Sequence, residues 1–494
     1  MTNKYETVIG LEVHSQLLTK SKMFCPCNSD YQKASPNSRV CPVCMGMPGV
    51  LPVINKHAVE LVIRTGLALG CEISALTKFD RKNYPYPDLM KGYQISQFDM
   101  PVAESGVLEI DDSSGNKRNI GVTRVHLEED VAKLVHREGT YGDSFSLLDI
   151  NRAGVPLMEI VSEPDMRTPE EAHHYLTSLH SIIRYIGAST ANMEEGSFRC
   201  DANISLRPFG CVQLGSKVEI KNVNSFRAVL RALKYEEKRQ AVALDNGEKI
   251  IQETRGWSDD QDITVPQRTK EYASDYRYFP EPDLPPIKIP KVWVSDIKSD
   301  IPELPSAKTK RYMSDLGLSN YDASLLVSDT EVAAFFDKIV SQFKDSEKEM
   351  LEPRCKSAAN LINVELSRLI NETGQNIGKS KITPYSMYLI VLMLEQNDLS
   401  STTAKTIIQE VFENGGDPKV ISENLGLIQV NDTSAIDFTI AEVLSENPQA
   451  IEEFLAGKDS VLRFLVGQVM KKSKGSANPE IASSSLLEKL ESMR

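Results

Sequence analysis

The chain has 494 residues, of which 41% are hydrophobic and 25% are charged, and its formal net charge at pH 7 is −13. That length is too great for one hydrophobic core and predicts about three domains, and the composition excludes a chain that is disordered throughout. The negative charge argues against nucleic-acid binding over the whole surface, since Lys and Arg make phosphate contacts, but it leaves room for a local basic patch. The sequence shows neither a signal or transit peptide nor a membrane-spanning apolar stretch, so we expect a cytoplasmic protein with no membrane partner.

The first predicted element is a strand at residues 8–17, where apolar and polar side chains alternate. Successive side chains of a strand point to opposite faces, so Glu12, His14 and Gln16 share the face opposite the apolar set. Two further segments, 124–128 and 197–206, repeat the alternation and carry Arg, His, Glu, Asp and Asn on their polar side. The pattern predicts an antiparallel sheet with one apolar face and one charged face.

The charged face has two interpretations. Carboxylates about 4 Å apart repel each other by on the order of 4 kcal/mol at an effective dielectric of about 20, and a bound cation reverses that effect. Oxygen ligands with a histidine suit Mg²⁺, which is often held by one or two carboxylates plus substrate phosphates. The alternative is a solvated outer face of the sheet. Because several strands carry such residues, we favour a metal–nucleotide site.

Four of the eight cysteines lie close together in the sequence: Cys25 and Cys27 form a C-x-C pair, and Cys41 and Cys44 form a C-x-x-C pair. Without a secretory signal, we do not expect disulfides. Four thiolates from two short loops can close a tetrahedral Zn²⁺ site, and a site filled by four protein ligands is structural. The spacing therefore predicts a structural zinc site, with a reduced, metal-free loop as the alternative.

Residues 80–94 are predicted to form an extended loop that contains two prolines and three tyrosines. This loop is either a packed surface segment or a wall whose rings, including those of Tyr84 and Tyr86, stack on an adenine or on a tRNA end. Farther along, Lys217 and Lys221 share a face with Glu219, where their ammonium groups suit phosphate oxygens. Helices are predicted at 58–69, from the Thr168 cap to about 187, and at 226–241.

The composition changes after residue 280. The proline-rich stretch 281–290 is predicted to lead out of the sheet domain, and the chain turns helical from about 305, with helices at 330–343 and 358–373. A further boundary is predicted near 396–401. The tail contains an amphipathic helix that ends in lysines at 471, 472 and 474, which either complement the helix dipole or contact an RNA backbone.

The sequence lacks a P-loop and a G-x-G-x-x-G motif after a strand, and it shows no convincing nucleophile arrangement. A nucleotide would therefore be held by a metal and side chains. An amidase or protease centre is not expected in this chain.

Six motifs resemble those of the B subunit of the tRNA-dependent amidotransferase, and the resemblance runs essentially end to end. They are GLEVHSQL at 10–17, the cysteine loop ending in CPVCMGMPG at 41–49, VHLEED at 125–130, DINRAGVPLME at 149–159, EGSFRCDAN at 195–203 and YRYFPEPDL at 276–284. The resemblance implies an α+β fold: an antiparallel-sheet catalytic domain similar to the glutamine synthetase fold with the zinc knuckle (1–295), a helical linker domain (296–400) and a helical, tRNA-binding tail (401–494).

The resemblance also implies the reaction. Such a subunit uses ATP and Mg²⁺ to phosphorylate the side-chain carboxylate of glutamate on tRNA(Gln), or of aspartate on tRNA(Asn), and ammonia then displaces the phosphate. An amidase A subunit supplies the ammonia, and a small C subunit completes the assembly. The other hypotheses are a non-catalytic tRNA-binding scaffold and a stand-alone ligase that amidates a small carboxylic acid.

The motifs place site residues in this sequence by resemblance. The catalytic candidates are Glu12, His14, Glu128, Glu159, Asp201 and Arg199. The nucleotide-binding candidates are Lys217 and Lys221, together with Tyr84 and Tyr86, which are proposed from the residue pattern of the loop at 80–94. The predicted Mg²⁺ ligands are Glu12, His14 and Glu128, and the predicted Zn²⁺ ligands are Cys25, Cys27, Cys41 and Cys44.

Overall fold

The structure is a computed structural model and describes residues 4–112, 114–138, 144–269, 276–344, 347–427, 433–455, 458, 460–473 and 479–493. The chain forms two compact units, Met1–Leu304 and Pro305–Arg494. The first is rich in strands and the second is helical, which confirms the α+β class in that form. The domain boundaries near 295 and 400 stay predictions. Lys474, one of the tail lysines, lies outside the described residues.

Over its described residues, the first unit contains strands of very different lengths, four helices and a short 3₁₀ turn at Ile150–Arg152. The strands are β1 (Tyr5–Gln16), β2 (Glu72–Ile73), β3 (Leu76–Thr77), β4 (Asp80–Asn83), β5 (Tyr93–Ser96), β6 (Ala103–Asp111), β7 (Lys117–Glu129), β8 (Lys133–Glu138), β9 (Ser144–Asp149), β10 (Pro156–Ser162), β11 (Phe198–Pro208), β12 (Val218–Lys221), β13 (Glu253–Ser258), β14 (Ile263–Thr269), β15 (Phe279–Pro280) and β16 (Ile287–Lys288). The helices are α1 (Lys56–Ala68), α2 (Pro169–Tyr185), α3 (Phe226–Asp245) and α4 (Lys291–Ser299).

Over the described residues, the main sheet has nine strands in the order β14-β13-β12-β11-β1-β10-β7-β6-β2. Neighbouring strands are antiparallel except β12 and β13, which run parallel. In β1 the burial alternates as predicted, and Ile9, Leu11 and Val13 lie in the core. Because β1 is central, its apolar side chains are covered on one face while its polar side chains point to the other.

Three helices cover the apolar face. The helix α1 packs against β7, α2 against β6, and α3 against β11. Each begins where a side chain accepts a hydrogen bond from the first turn: Asn55 caps α1, Thr168 caps α2 and Ser225 caps α3. The three helices predicted in this unit are therefore confirmed, and they leave the charged face of the sheet free for other contacts.

Residues 80–94 are more regular than the sequence predicted. The strands β4 and β5 pair antiparallel, and β15 pairs with the other edge of β4. The predicted loop is confined to the connection between the two strands. Both prolines of the segment, Pro85 and Pro87, fall in that connection, so neither removes a donor from the ladder.

The proline-rich stretch at 281–290 contributes to the first unit. Glu281 is buried and accepts two hydrogen bonds from Arg81, at 2.7 and 2.9 Å, and β16 pairs with β3. Pro282, Pro285 and Pro286 lie outside the short strands. The stretch is thus anchored to the unit that it was expected to leave.

The second unit consists of helices with a π-helical segment at Leu361–Leu366 and a 3₁₀ turn at Ile377–Lys379. The helices are α5 (Pro305–Leu316), α6 (Asn320–Val327), α7 (Thr330–Gln342), α8 (Lys348–Asn360), α9 (Ser367–Thr373), α10 (Pro384–Glu395), α11 (Ser401–Asn414), α12 (Pro418–Asn424), α13 (Thr433–Glu446), α14 (Pro448–Leu455), α15 (Ser460–Lys472) and α16 (Pro479–Ser492). The helices predicted at 330–343 and 358–373 are present, the second as a π-helical segment followed by α9. Among the described helices of the chain, none is long and apolar enough to cross a membrane.

Candidate functional site

The charged face of the main sheet carries one continuous row of polar side chains. His126 of β7 lies opposite Glu159 of β10, Glu159 lies opposite His14 of β1, and His14 lies opposite Arg199 of β11. Opposite residues in antiparallel strands point to the same face, so these four side chains are neighbours across four strands. Glu128, two residues after His126, extends the row along β7.

Three of these side chains form a cluster, which we call the His–Glu–Glu cluster: His14, Glu128 and Glu159. The His14 Nε2 atom lies 3.2 Å from Glu159 Oε2 and 3.6 Å from Glu128 Oε1. One potential ligand atom from each residue lies within 4.8 Å of the others. Both glutamates are buried. Two buried carboxylates side by side need a cation for compensation, and the cluster has the geometry to hold one.

The electrostatics of the cluster favour charged carboxylates. Burial alone would lower the pKa of His14, but the hydrogen bond with Glu159 and the charges of Glu159 and Glu128 outweigh it and raise that pKa. Burial alone would raise the pKa of Glu159, but His126, His14 and Lys82 hold it well below its ordinary range.

The three-stranded sheet of β15, β4 and β5 contributes residues that contact the His–Glu–Glu cluster. The Lys82 ammonium lies 3.9 Å from Glu128 Oε2, and the Ser96 hydroxyl donates a hydrogen bond to the same oxygen at 3.3 Å. Lys82 also lies over the Tyr276 ring at 5.3 Å, and the Tyr84 ring meets that ring edge-on at 5.7 Å. Burial alone would lower the pKa of Lys82, but the charges of Glu128 and Glu159 outweigh that effect and raise the pKa. The ammonium of Lys82 therefore stays charged.

A second set of polar groups lies beside the cluster. Glu12 lies opposite Asp201 across the β1–β11 pair and accepts a hydrogen bond from Asn203 at 3.2 Å. The Lys221 ammonium donates to Asp201 at 2.6 Å and lies 3.3 Å from Glu219. A cavity of about 340 Å³ opens next to Glu12, and its lining includes Lys217 and Asn203.

The side chain of Arg199 is held in place by Asp130. Its guanidinium lies 3.2 Å from Asp130, which is buried and also accepts a hydrogen bond from Gln16 at 2.7 Å. Arg152 lies 3.6 Å from the same carboxylate. Asp130 therefore fixes the position of Arg199 beside His14.

The structure brings together most, but not all, of the predicted site residues. His14, Glu128 and Glu159 form the cluster, whereas Glu12, a predicted Mg²⁺ ligand, is outside it and lies beside Asp201. The Tyr84 ring contacts the Tyr276 ring, which in turn lies next to Lys82 beside the cluster. Tyr86 is 57% exposed in the connection between β4 and β5 and is the least supported of the predicted site residues.

Three residues of the site were not among the sequence candidates: Lys82, His126 and Asp130. His126 alternates in step with Glu128, so the strand pattern contained the signal. Asp130 is the last residue of the motif at 125–130. Lys82 could have been found only by recognising that residues 80–83 form a strand. The prolines that follow them in the sequence favoured the prediction of a loop instead.

The four predicted zinc ligands come together. One sulfur from each of Cys25, Cys27, Cys41 and Cys44 lies within 4.8 Å of the others, and the Cys41 and Cys44 sulfurs are 3.9 Å apart. The backbone N–H of Cys41 donates to the Cys44 sulfur at 3.2 Å. Four cysteine sulfurs in this arrangement are a donor set that suits Zn²⁺.

The segment between the two cysteine pairs docks onto the 3₁₀ turn before β10. Asn37 accepts a hydrogen bond from the Ile150 N–H at 2.7 Å, and its own N–H donates to Asp149 at 3.1 Å. Asn151 donates to the Ser35 carbonyl at 2.8 Å and accepts from the Arg39 N–H at 2.7 Å. These contacts explain Asp149 and Asn151 of the motif, which position the cysteine segment, whereas Arg152 of the same motif lies beside Asp130.

Comparison with known families covers both units. The model of the GatB/GatE catalytic domain matches residues 7–295, and the model of the GatB domain matches residues 334–490. The first match includes the His–Glu–Glu cluster and the four cysteines.

Curated relatives match over nearly the whole length. A protein from Dehalococcoides mccartyi is 53% identical over 490 residues, and one from Thermomicrobium roseum is 50% identical over 490 residues. One from Carboxydothermus hydrogenoformans is 47% identical over 487 residues. In each case the match covers 99% of this chain and 99% of the relative, and each relative is named as the B subunit of an aspartyl/glutamyl-tRNA(Asn/Gln) amidotransferase. The resemblance inferred from the motifs is confirmed, and the chain belongs to the family of aspartyl/glutamyl-tRNA(Asn/Gln) amidotransferase B subunits.

Proposed function

We propose that this chain is the ATP-dependent transamidating subunit that converts glutamate on tRNA(Gln), aspartate on tRNA(Asn), or both, to the amide. The observation that carries the proposal is the buried His–Glu–Glu cluster on the charged sheet face, in a chain whose relatives are named as amidotransferase B subunits. The proposal makes the protein a carbon–nitrogen ligase of protein biosynthesis. We propose the cytoplasm as its location, because charged tRNA is found there.

The reaction requires an activated carboxylate. A carboxylate oxygen of the aminoacyl side chain attacks the γ-phosphorus of ATP, and the bond to ADP breaks, which yields an acyl phosphate. Ammonia then attacks the carbonyl carbon, and inorganic phosphate leaves with the former carboxylate oxygen. Phosphoryl transfer of this kind depends on positioning and on cations and needs no protein nucleophile.

The residues of the cluster suit Mg²⁺. Two carboxylates and one imidazole offer hard donors to a cation that commonly keeps waters and phosphate oxygens as its other ligands. When bound, Mg²⁺ would neutralise charge on the transferred phosphoryl group. His14, Glu128 and Glu159 would hold it, and Glu12 and Asp201 form a second acidic pair close by.

The cationic side chains of the face have defined places in this scheme. Arg199, fixed by Asp130, and Lys82, fixed by Glu128, face the cluster from two sides and would bind phosphate or carboxylate oxygens. The cavity beside Glu12 and Lys217 has room for part of a nucleotide. The rings of Tyr84 and Tyr276 form one wall near Lys82, and Tyr86 would contact the nucleotide only after moving from its exposed position.

Further parts of the proposal concern the fold, the zinc and the partners. We infer that the sheet domain is similar to the catalytic fold of glutamine synthetase, which also carries out carboxylate activation on an antiparallel sheet. We infer that the four cysteines hold a structural Zn²⁺. The sequence shows no convincing nucleophile arrangement, so ammonia would come from an amidase A subunit, and a small C subunit would complete the complex.

Three acceptors distinguish the proposal from its alternatives. Amide formation is measured with ³²P-labelled glutamyl-tRNA(Gln), with aspartyl-tRNA(Asn) and with free glutamate, using the complex with its amidase partner, ATP, Mg²⁺ and ammonium chloride. We expect ATP-dependent product on at least one of the two tRNAs and none on free glutamate. Turnover of free glutamate would instead indicate a stand-alone ligase, and binding of both tRNAs without turnover would indicate a scaffold.

We expect Lys221→Met to raise the KM for ATP about 10- to 100-fold, with a smaller effect on kcat, because a charged hydrogen bond contributes about 1.5–3 kcal/mol. The substitution also leaves Asp201 and Glu219 without the ammonium that now separates them. Initial rates at varied ATP concentration measure the effect. Lys234→Met, which removes an exposed lysine of α3 that pairs with Glu170, is the control. An unchanged KM for ATP would remove Lys221 from the phosphate site.

We propose that the tail binds tRNA partly through Lys471. Lys471 is exposed at the end of α15, whereas the neighbouring Lys472 pairs with Glu442 at 3.0 Å and Glu446 at 2.6 Å. We expect Lys471→Ala to weaken tRNA binding and to reduce the slope of log K against log salt by about 1, as for the loss of one phosphate contact. Lys472→Ala, the control, should have a smaller effect on tRNA binding. Equal slopes for the wild type and Lys471→Ala would show that Lys471 makes no phosphate contact and only complements the helix dipole.

A further inference from the structure

The cysteine cluster has an unusual neighbour, the lysine at position 22. Its side chain is 0% exposed, and its ammonium lies 3.6 Å from the Cys44 sulfur and 3.5 Å from the Ile150 carbonyl oxygen. Its backbone N–H donates to the Cys27 carbonyl at 2.9 Å. Lys22 therefore contacts the cluster through both its backbone and its side chain.

Among the residues that the structure describes, the buried ammonium has no acidic partner, since no carboxylate oxygen lies within 4.0 Å of it. An isolated buried ammonium costs several kcal/mol, and a single carbonyl contact does not compensate a full charge. The cysteine sulfurs are the groups near it that can carry negative charge, so Lys22 is placed for a cluster of thiolates.

We propose that Lys22 is a positioning residue of the cysteine cluster that offsets part of the negative charge of a zinc tetrathiolate and donates a hydrogen bond to the Cys44 sulfur. The inference rests on the proposed structural zinc. Four thiolates around one Zn²⁺ leave a net negative charge, and that charge is buried on the side of Cys44. A hydrogen-bond donor to a metal-bound sulfur orients that ligand, as other outer partners of metal ligands do.

The test uses the full chain in its complex and compares zinc retention in the wild type, Lys22→Met and Lys22→Arg. Zinc per chain is measured by elemental analysis, and the rate of zinc transfer to a chelator is followed at a temperature where all variants are folded. We expect Lys22→Met to release zinc about 10- to 100-fold faster, as is typical for the loss of an outer partner. Lys22→Arg keeps the charge and should restore slower release.

The control is Lys308→Met, which removes a lysine that pairs with Asp337 in the second unit. It should leave zinc release unchanged even if it lowers the unfolding temperature. Release from Lys22→Met at the wild-type rate would overturn the inference. If Lys22→Met does not fold, Lys22→Gln keeps a hydrogen-bond donor and removes the charge, and zinc release from it at the wild-type rate would overturn the proposed charge compensation. A wild-type chain that contains no zinc after purification with zinc supplied would instead contradict the zinc proposal itself.

Discussion

Glu128→Gln is expected to lower the rate of ATP-dependent amide formation about 10³-fold, the scale found when one preorganised electrostatic contact to a transition state is removed. The amide keeps the size of the side chain but removes the charge that faces both His14 and Lys82. The expected loss appears mainly in kcat. It is measured with ammonium chloride as nitrogen source, so that the amidase step does not limit the rate.

The control for this variant is Glu138→Gln, which changes an exposed glutamate at the end of β8. That variant should keep wild-type activity. Binding of tRNA to Glu128→Gln should also stay at the wild-type level, because the substitution lies on the sheet face and not on the helical tail. Full activity of Glu128→Gln would remove the cluster from the catalytic site.

Cys41→Ala is expected to abolish zinc binding and to destabilise the first unit. Structural zinc sites in peptides bind with about 10–16 kcal/mol, and much of that free energy becomes folding free energy. In this chain the loss should free the segment between the cysteine pairs from its contacts with Asp149 and Asn151. Zinc content, thermal unfolding and limited proteolysis within residues 28–40 measure the effect.

Cys211→Ala is the matched control, since Cys211 is a partly exposed cysteine that lies outside the cluster. It should keep its zinc and its unfolding temperature. A Cys41→Ala variant with wild-type zinc content and stability would show that the four sulfurs do not form a metal site.

The sequence predicted the central part of the fold because local pattern and tertiary burial agree there. In β1 the alternation of Leu11, Glu12, Val13 and His14 is the alternation of the folded strand. The caps at Asn55, Thr168 and Ser225 likewise act within a few residues of the helices that they begin. Such features require no knowledge of which strands become neighbours.

The rest depended on long-range pairing that a single sequence does not reveal. The register that sets His14 between Glu159 and Arg199 joins residues more than a hundred positions apart. For the same reason the sequence could not choose Glu159 over Glu12 as the partner of His14. Lys82 enters the site only because β4 pairs with β5 and β15, and β15 lies far from β4 along the chain.

The most direct test of the central proposal follows one oxygen atom. Glutamyl-tRNA(Gln) or aspartyl-tRNA(Asn) labelled with ¹⁸O in the side-chain carboxylate is converted by the complex with ATP, Mg²⁺ and ammonium chloride, and the released phosphate is analysed by mass spectrometry. Activation through an acyl phosphate predicts one ¹⁸O atom in each phosphate released with amide formation, and release of labelled phosphate about 10³-fold more slowly from Glu128→Gln. Amide formed with unlabelled phosphate would contradict phosphorylation of the carboxylate on this sheet face.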